Sequence, residues 1–147
     1  MLESDKNFIF CATKNGLVKK TPIVEYSNIR NSGKIGIVLK DNDSLIKAQV
    51  TDGSNYILLV THQGKSIKFK EADVNPTGRA SQGVKGISLK KDDAVIAAST
   101  FEINPVRPDD KRKKFFREIL VVTEHGLGKR TDVEEYPEQG RGGQGVK

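Results

Sequence analysis

Apolar residues in this chain come in short runs. Each run is closed by a turn signal and answered by a second run that ends in cations. The pattern occurs three times. It reads Ile9-Phe10-Cys11-Ala12-Thr13-Lys14-Asn15-Gly16-Leu17-Val18-Lys19-Lys20, then Leu58-Leu59-Val60-Thr61-His62-Gln63-Gly64-Lys65-Ser66-Ile67-Lys68, then Leu120-Val121-Val122-Thr123-Glu124-His125-Gly126-Leu127-Gly128-Lys129-Arg130. Asn15-Gly16 between two apolar runs is a strong hairpin signal, because a tight two-residue turn needs positive φ at both central positions. A second stretch recurs downstream. Gly78-Arg79-Ala80-Ser81-Gln82-Gly83-Val84-Lys85 returns as Gly140-Arg141-Gly142-Gly143-Gln144-Gly145-Val146-Lys147, with a fainter copy at Asn31-Ser32-Gly33-Lys34-Ile35-Gly36. Repeats with a period of roughly 50 residues fix the architecture before any motif is interpreted.

Each repeat predicts four strands. Repeat one, about residues 8–48, offers Phe8–Ala12, Leu17–Lys20, Lys34–Lys40 and Leu45–Ala48. Repeat two, about 56–100, offers Ile57–Val60, Ser66–Lys70, Gly86–Leu89 and Val95–Ala98. Repeat three, about 116–147, is incomplete: the chain stops where repeat two goes on to its later strands. No segment keeps a 3.6-residue period over three turns, and Ile23–Tyr26 and Glu71–Asp73 allow one helical turn at most. The expectation is an all-β, propeller-like array of four-stranded antiparallel blades, cut from a longer one. From Gly16 to Gly64 is 48 positions and from Gly64 to Gly126 is 62. The excess falls on Asn104–Lys114, whose Pro105, Pro108 and dense charges predict an exposed loop.

Composition sharpens this. Of 147 residues 35% are hydrophobic and 30% charged, which suits a thin-cored architecture better than a thick-cored enzyme. The net charge is +6 and the pI about 9.4, favouring an anionic partner. Cys11 is the single cysteine, so no disulfide framework exists, and it reads as a small core residue. No apolar run approaches the roughly 18 residues of a membrane span, and the N-terminus lacks a signal peptide's apolar core. These point to a cytoplasmic protein in a reducing compartment, with no membrane partner.

The candidate chemistry is cationic. Lys19, Lys20, Lys68, Lys129 and Arg130 follow the hairpin turns at one register, so in a radial array they line up as a track for phosphates. Arg79, Lys85, Arg141 and Lys147 flank the glycine-rich stretches, where bare N–H groups and cations both suit phosphate. The bland alternatives are solvated lysines and glycines that serve blade connections. Gly140-x-Gly142-x-x-Gly145 matches a dinucleotide fingerprint but lacks the strand, helix and downstream acid which that fold requires. His62 and His125 read as turn residues, not metal ligands. Asp92-Asp93 and Glu134-Glu135 read as solvated charges, and Tyr26 and Tyr136 as anchors between blades. No catalytic set and no metal site is expected. A propeller-type protein-interaction scaffold is the alternative from another class.

Ala12 to Thr21, together with Gly126-Leu127-Gly128-Lys129-Arg130-Thr131-Asp132-Val133-Glu134-Glu135-Tyr136-Pro137, resembles the C-terminal domain of the DNA gyrase A protein. The resemblance covers nearly the whole chain. It implies a six-bladed β-pinwheel in which neighbouring blades exchange a strand, with this chain over about the middle three blades. It also implies that a basic rim wraps double-stranded DNA without reading sequence, supporting ATP-dependent negative supercoiling by a type II topoisomerase. The partners implied are DNA and, through the rest of the parent chain, the gyrase B protein. ATP and Mg would sit on other domains, with no cofactor here. Gln139-Gly140-Arg141-Gly142-Gly143-Gln144-Gly145 is similar to the gyrase A box, Gln-Arg-Arg-Gly-Gly-Lys/Arg-Gly. It has Gly140 for the first Arg and Gln144 for the basic residue, and so reads as a degenerate copy. The equivalent C-terminal domain of topoisomerase IV, which lacks the box, stays open as an alternative. The family's catalytic tyrosine lies on another domain, so Tyr26, Tyr56 and Tyr136 do not inherit its role.

Overall fold

The recurring Thr-x-x-Gly builds three hairpin turns of one design. In the computed structural model, which describes residues 7–28, 31–102 and 118–147, the N–H of Gly16, Gly64 and Gly126 donates to the carbonyl of Thr13, Thr61 and Thr123 at 2.9–3.0 Å. Each threonine hydroxyl accepts from the N–H four residues on, at Leu17, Lys65 and Leu127. The glycines carry φ of 82°, 77° and 79°, while Asn15 is not left-handed. The tight two-residue turn expected at Asn15-Gly16 is thus a four-residue turn closed by a left-handed glycine, and the threonine's side chain does the closing.

Nine strands lie among the described residues: β1 Phe8–Thr13, β2 Leu17–Pro22, β3 Leu45–Thr51, β4 Tyr56–Thr61, β5 Ser66–Lys70, β6 Val84–Lys85, β7 Val95–Phe101, β8 Glu118–Val122 and β9 Gly128–Asp132. Short 3-10 turns at Ile23–Tyr26, Glu71–Asp73 and Val133–Glu135 follow β2, β5 and β9. The sheets run β3-β1-β2-β6, β5-β4-β7 and β8-β9, all antiparallel.

Lys34–Lys40 and Gly86–Leu89 do not form the third strands expected of them. Their backbone bonds go to different repeats: Gly86 and Ile87 N–H to Gly16 O at 2.8 and 3.3 Å, Ser88 N–H to Gly143 O and Gly142 N–H to Gly86 O at 2.8 Å, Val38 N–H to Ser81 O at 3.0 Å. Such a segment crosses between blades instead of laddering within one. Only its start pairs as a strand. β6 belongs to repeat two yet completes the sheet of repeat one, with Val84 opposite Val18 and Lys85 opposite Leu17. Val146 repeats this against Ser66, exchanging both backbone bonds at 2.7 and 2.8 Å. The fourth strand of a blade therefore comes from the next repeat, as the family resemblance implied.

This donation explains two glycines. A Cβ on Gly83 would stand 2.6 Å from Val18 O, and one on Gly145 2.6 Å from Ser66 O. The core lies between the first two sheets, where Phe10, Ala12 and Val18 meet Ile57, Leu59, Ile67, Phe69 and Ile87. In repeat three the corresponding positions are bare: Leu120 is 65% exposed, against 0% for Phe10 and 1% for Leu58. Among the described residues β8 and β9 pair only with each other. The Asn104–Lys114 loop and the start of repeat three at Phe116 lie outside the described residues.

In dilute solution Gly33→Ala, at a left-handed position with open space around it, should cost about 1–2 kcal/mol for the backbone alone. Gly83→Ala adds the clash with Val18 O and should cost a further ~1–3 kcal/mol. Urea midpoints of the two variants check this, and equal losses would contradict the close approach.

Candidate nucleic-acid interface

Lys20 and Lys68 are the first two cations of the expected track, and both point inward. They are each 5% exposed. Lys20 Nζ donates to Glu71 O at 3.1 Å and lies 5.0 Å from the centroid of the Phe8 ring. Lys68 Nζ donates to Val133 O at 2.9 Å and lies 5.3 Å from the Tyr56 ring. Phe8 and Tyr56 occupy one repeat position, and Glu71 and Val133 another. The same strut is built twice: a lysine on one blade, steadied by an aromatic face, binds a carbonyl of the next blade's 3-10 turn. Lys19 is 1% exposed and gives its ammonium to three carbonyls, those of Gly36, Arg79 and Ser81. Burial pulls its pKa below the ordinary lysine value; the Cys11 thiol opposes this and the Arg79 charge adds to it. Lys19, Lys20 and Lys68 do not offer their charges to solvent, which corrects the expected surface track at these three positions. At Lys20 and Lys68 the common register marks a common role, and the role is internal.

The third repeat departs from the strut. Arg130 stands where Lys20 and Lys68 stand, and Glu118 where Phe8 and Tyr56 stand. The two form an exposed ion pair at 3.0 Å. Lys129 beside it is exposed.

Arg79 and Arg141 are half-buried clamps. Arg79 Nη1 donates to Ile35 O at 3.0 Å and Arg141 Nη1 to Lys85 O at 2.6 Å, again one contact built twice. Arg141 Nε also reaches Asp73 O at 3.1 Å. Each pins the crossing stretch of the repeat before it. Tyr26 works on its own repeat, its hydroxyl donating to Gly36 O at 3.2 Å.

Lys85 and Lys147 do face solvent. Through the strand pairing Lys85 lies opposite Leu17 and Lys147 is next to the Val146–Ser66 pair, so both stand beside hairpin turns. Sequence reasoning missed further exposed cations at that end: Lys14, Lys40, Lys90 and Lys91. Asp43 caps the first hairpin turn by accepting from Asn15 N–H at 2.9 Å, and Asp93 caps the second by accepting from Gln63 N–H at 3.0 Å. Burial pushes Asp93 upward, but the hydrogen bonds from Gln63, Thr61 and Ala94 outweigh it and hold the carboxyl low. These caps bring Lys40 and Lys90–Lys91, just upstream of the aspartates, against the hairpin turns. The signal for Lys40 and Lys90 was available: both follow a leucine and precede an acidic turn at an offset of 50. At the opposite end Tyr56, Lys70 and Glu138 join repeats two and three, with Glu138 accepting from the Tyr56 hydroxyl at 2.7 Å and pairing with Lys70 at 3.0 Å.

Blades whose sheets are completed by their neighbours define the class, a β-propeller variant with strand exchange. The family model described as DNA gyrase C-terminal domain, beta-propeller, matches residues 7–52, 55–102 and 117–147, and the chain belongs to that family. The DNA gyrase A protein of Staphylococcus aureus (strain MRSA252) is 40% identical over 146 residues, covering 99% of this chain and 15% of that protein. The chain thus spans about a seventh of the curated relatives it matches. A crystal structure of the C-terminal domain of DNA topoisomerase IV shares 31% identity and a TM-score of 0.84, over 96% of this chain and 41% of that one. A structure of the DNA gyrase A C-terminal domain shares 25% identity and a TM-score of 0.78, over 97% and 43%. Among the described residues no helix is long and apolar enough to cross a membrane.

The Glu138 contact carries a pH dependence. The Tyr56 hydroxyl and Lys70 hold its carboxyl below the ordinary 4.5. A depressed carboxylate stabilises fully above its unfolded value and loses that contribution as pH falls through the folded one. Wild type should therefore exceed Glu138→Gln in urea midpoint at neutral pH. The gap should close as pH drops from about 4.5 downward; a gap that persists in acid would contradict the ionic account.

Proposed function

We propose that this chain binds and wraps duplex DNA without sequence preference, as part of a gyrase A protein that introduces negative supercoils. The observation that carries the reading is the recurrence of solvent-facing cations, Lys40 with Lys90 and Lys85 with Lys147, at fixed positions of a gyrase-family repeat. Together with Lys14 and Lys91 they gather at the hairpin-turn end of successive blades. Phosphates bound there release counterions, which supplies affinity without base readout. Bending a 20–30 bp site by 40–90° costs of order 1–6 kcal/mol, and contacts repeated from blade to blade offset it. Lys129 is exposed as well, whereas Arg130 is paired with Glu118 away from the hairpin turn. Strand cleavage, ATP and Mg belong to other parts of the parent, and the gyrase B protein is reached through them. The topoisomerase IV reading draws support from the 0.84 TM-score; it shares the DNA ligand and differs in what the parent does with the wrap.

Fluorescence anisotropy on one duplex, titrated with salt, tests the reading. Lys90→Ala/Lys91→Ala should weaken binding to all sequences alike and flatten the log K against log salt slope by about two units. Lys20→Met/Lys68→Met, which removes two buried ammonium groups, should leave the slope unchanged in the folded fraction. The reverse pattern would return the site to the inner register, and binding without salt dependence would favour a protein-interaction scaffold.

A further inference from the structure

Two joints connect the repeats, and at each the crossing stretch of one repeat meets the glycine-rich stretch of the next. At the second joint the contact is closed by the backbone. Gly142 N–H donates to Gly86 O at 2.8 Å, and the Ser88 hydroxyl donates to Gly142 O at 2.7 Å. The repeat offsets place Gly36, Val38 and Ala80 at the corresponding positions of the first joint. There Gly36 O accepts instead from two side chains, Lys19 Nζ at 2.7 Å and the Tyr26 hydroxyl at 3.2 Å. Val38 has no hydroxyl to give, and no backbone bond joins Ala80 to Gly36 among the described residues. The Lys19 ammonium also donates to Arg79 O and Ser81 O, so it lies between the two stretches. One bond is common to both joints: Val38 N–H to Ser81 O, matched by Ser88 N–H to Gly143 O. The register is therefore the same, and what differs is the group in between.

The residues concerned change together. Ile67 stands where Lys19 stands, and Val74 where Tyr26 stands. Both are core residues, and Ile67 Cδ1 comes within 3.6 Å of a Cβ position on Gly143, the counterpart of Ser81. A buried isoleucine donates nothing, so the carbonyl beside it turns to a backbone N–H. A buried ammonium is costly unless carbonyls replace its water. We propose that Lys19 is a spacer. Its ammonium, wedged between Gly36 O and Arg79–Ser81, holds repeat two off the crossing stretch of repeat one. The first joint is thereby set at a different angle from the second. The functional consequence rests on the DNA-wrapping reading: Lys19 is 1% exposed and touches no phosphate itself. As a positioning residue it steers the duplex from the exposed cations of the first blade to those of the second.

Exchanging the joints tests this. Lys19→Ile/Tyr26→Val/Val38→Ser gives the first joint the side chains of the second. Ala80 N–H should then bond to Gly36 O as Gly142 N–H does to Gly86 O. In amide hydrogen exchange, with circular dichroism confirming the fold, Ala80 should exchange faster than Gly142 in wild type and slow to its rate in the variant. The reverse exchange, Ile67→Lys/Val74→Tyr/Ser88→Val, should free Gly142. Ala80 as protected as Gly142 in wild type, or still fast in the folded forward variant, would overturn the spacer. On a duplex of about 30 bp labelled at both ends, fluorescence resonance energy transfer in the bound state should shift between wild type and the forward variant. The log K against log salt slope should stay the same, since no exposed cation has changed. Unchanged transfer with Ala80 newly protected would overturn the positioning role. A wild type without salt-dependent binding would overturn the wrapping reading and the positioning role with it, while the amides still decide the spacer.

Discussion

Neither the β1–β2 hairpin nor the β4–β5 hairpin is finished by its own repeat alone. β1–β2 and β4–β5 are each five- to six-residue pairs, and an isolated hairpin of that size is marginal in water. Each gains one partner from its own repeat, β3 or β7, and another from the repeat that follows. Other features answer to that dependence. Gly83 and Gly145 are glycines because the donated strand runs hard against a carbonyl. Arg79 and Arg141 hold the donor stretch, and Lys20 and Lys68 hold the next blade's 3-10 turn at the same joint. Where the joint is not made among the described residues, at β8–β9, apolar side chains that are buried elsewhere face solvent.

Much of this was legible. The glycine register, the hairpins and the all-β class follow from period and turn chemistry, because both are local. The third strands were misplaced because alternation in Lys34–Lys40 and Gly86–Leu89 records which residues are covered, not which chain covers them. A segment bonded to two other repeats carries the same apolar pattern as a strand within a blade. The threonine of Thr-x-x-Gly was visible as a repeat, but its hydroxyl acceptor role depends on the turn's shape.

The lysines show a different limit. A cation in one register of a radial repeat reads as a rim charge if lysines face water, and most do. The 3-10 turns after β5 and β9 leave carbonyls at the joint, and a long side chain with three donors can reach them. The desolvation of a buried ammonium is costly unless hydrogen bonds replace its water. Lys19 finds three carbonyls, while Lys20 and Lys68 find one carbonyl and an aromatic face. The aromatic was the available clue, since Phe8 and Tyr56 keep step with Lys20 and Lys68. Where Glu118 replaces it the partner is Arg130, a change of both members together.

This bears on how net charge is read as a binding signal. The +6 of the whole chain includes three cations sealed between blades, whose positive charge is already spread over carbonyl dipoles. Under the proposed reading a polyanion meets the exposed cations of the hairpin-turn end, Lys14, Lys40, Lys85, Lys90, Lys91 and Lys147, and nearby acids decide how far these are opposed. In the same turns Asp43 and Asp93 are occupied in capping backbone N–H groups, while Asp41 and Asp92 are exposed beside Lys40 and Lys91. The inner lysines then act on a polyanion only indirectly, through the angle at which they set one blade on the next. Under the proposed reading, how one blade is set on the next decides whether exposed cations on successive blades can follow a bent duplex.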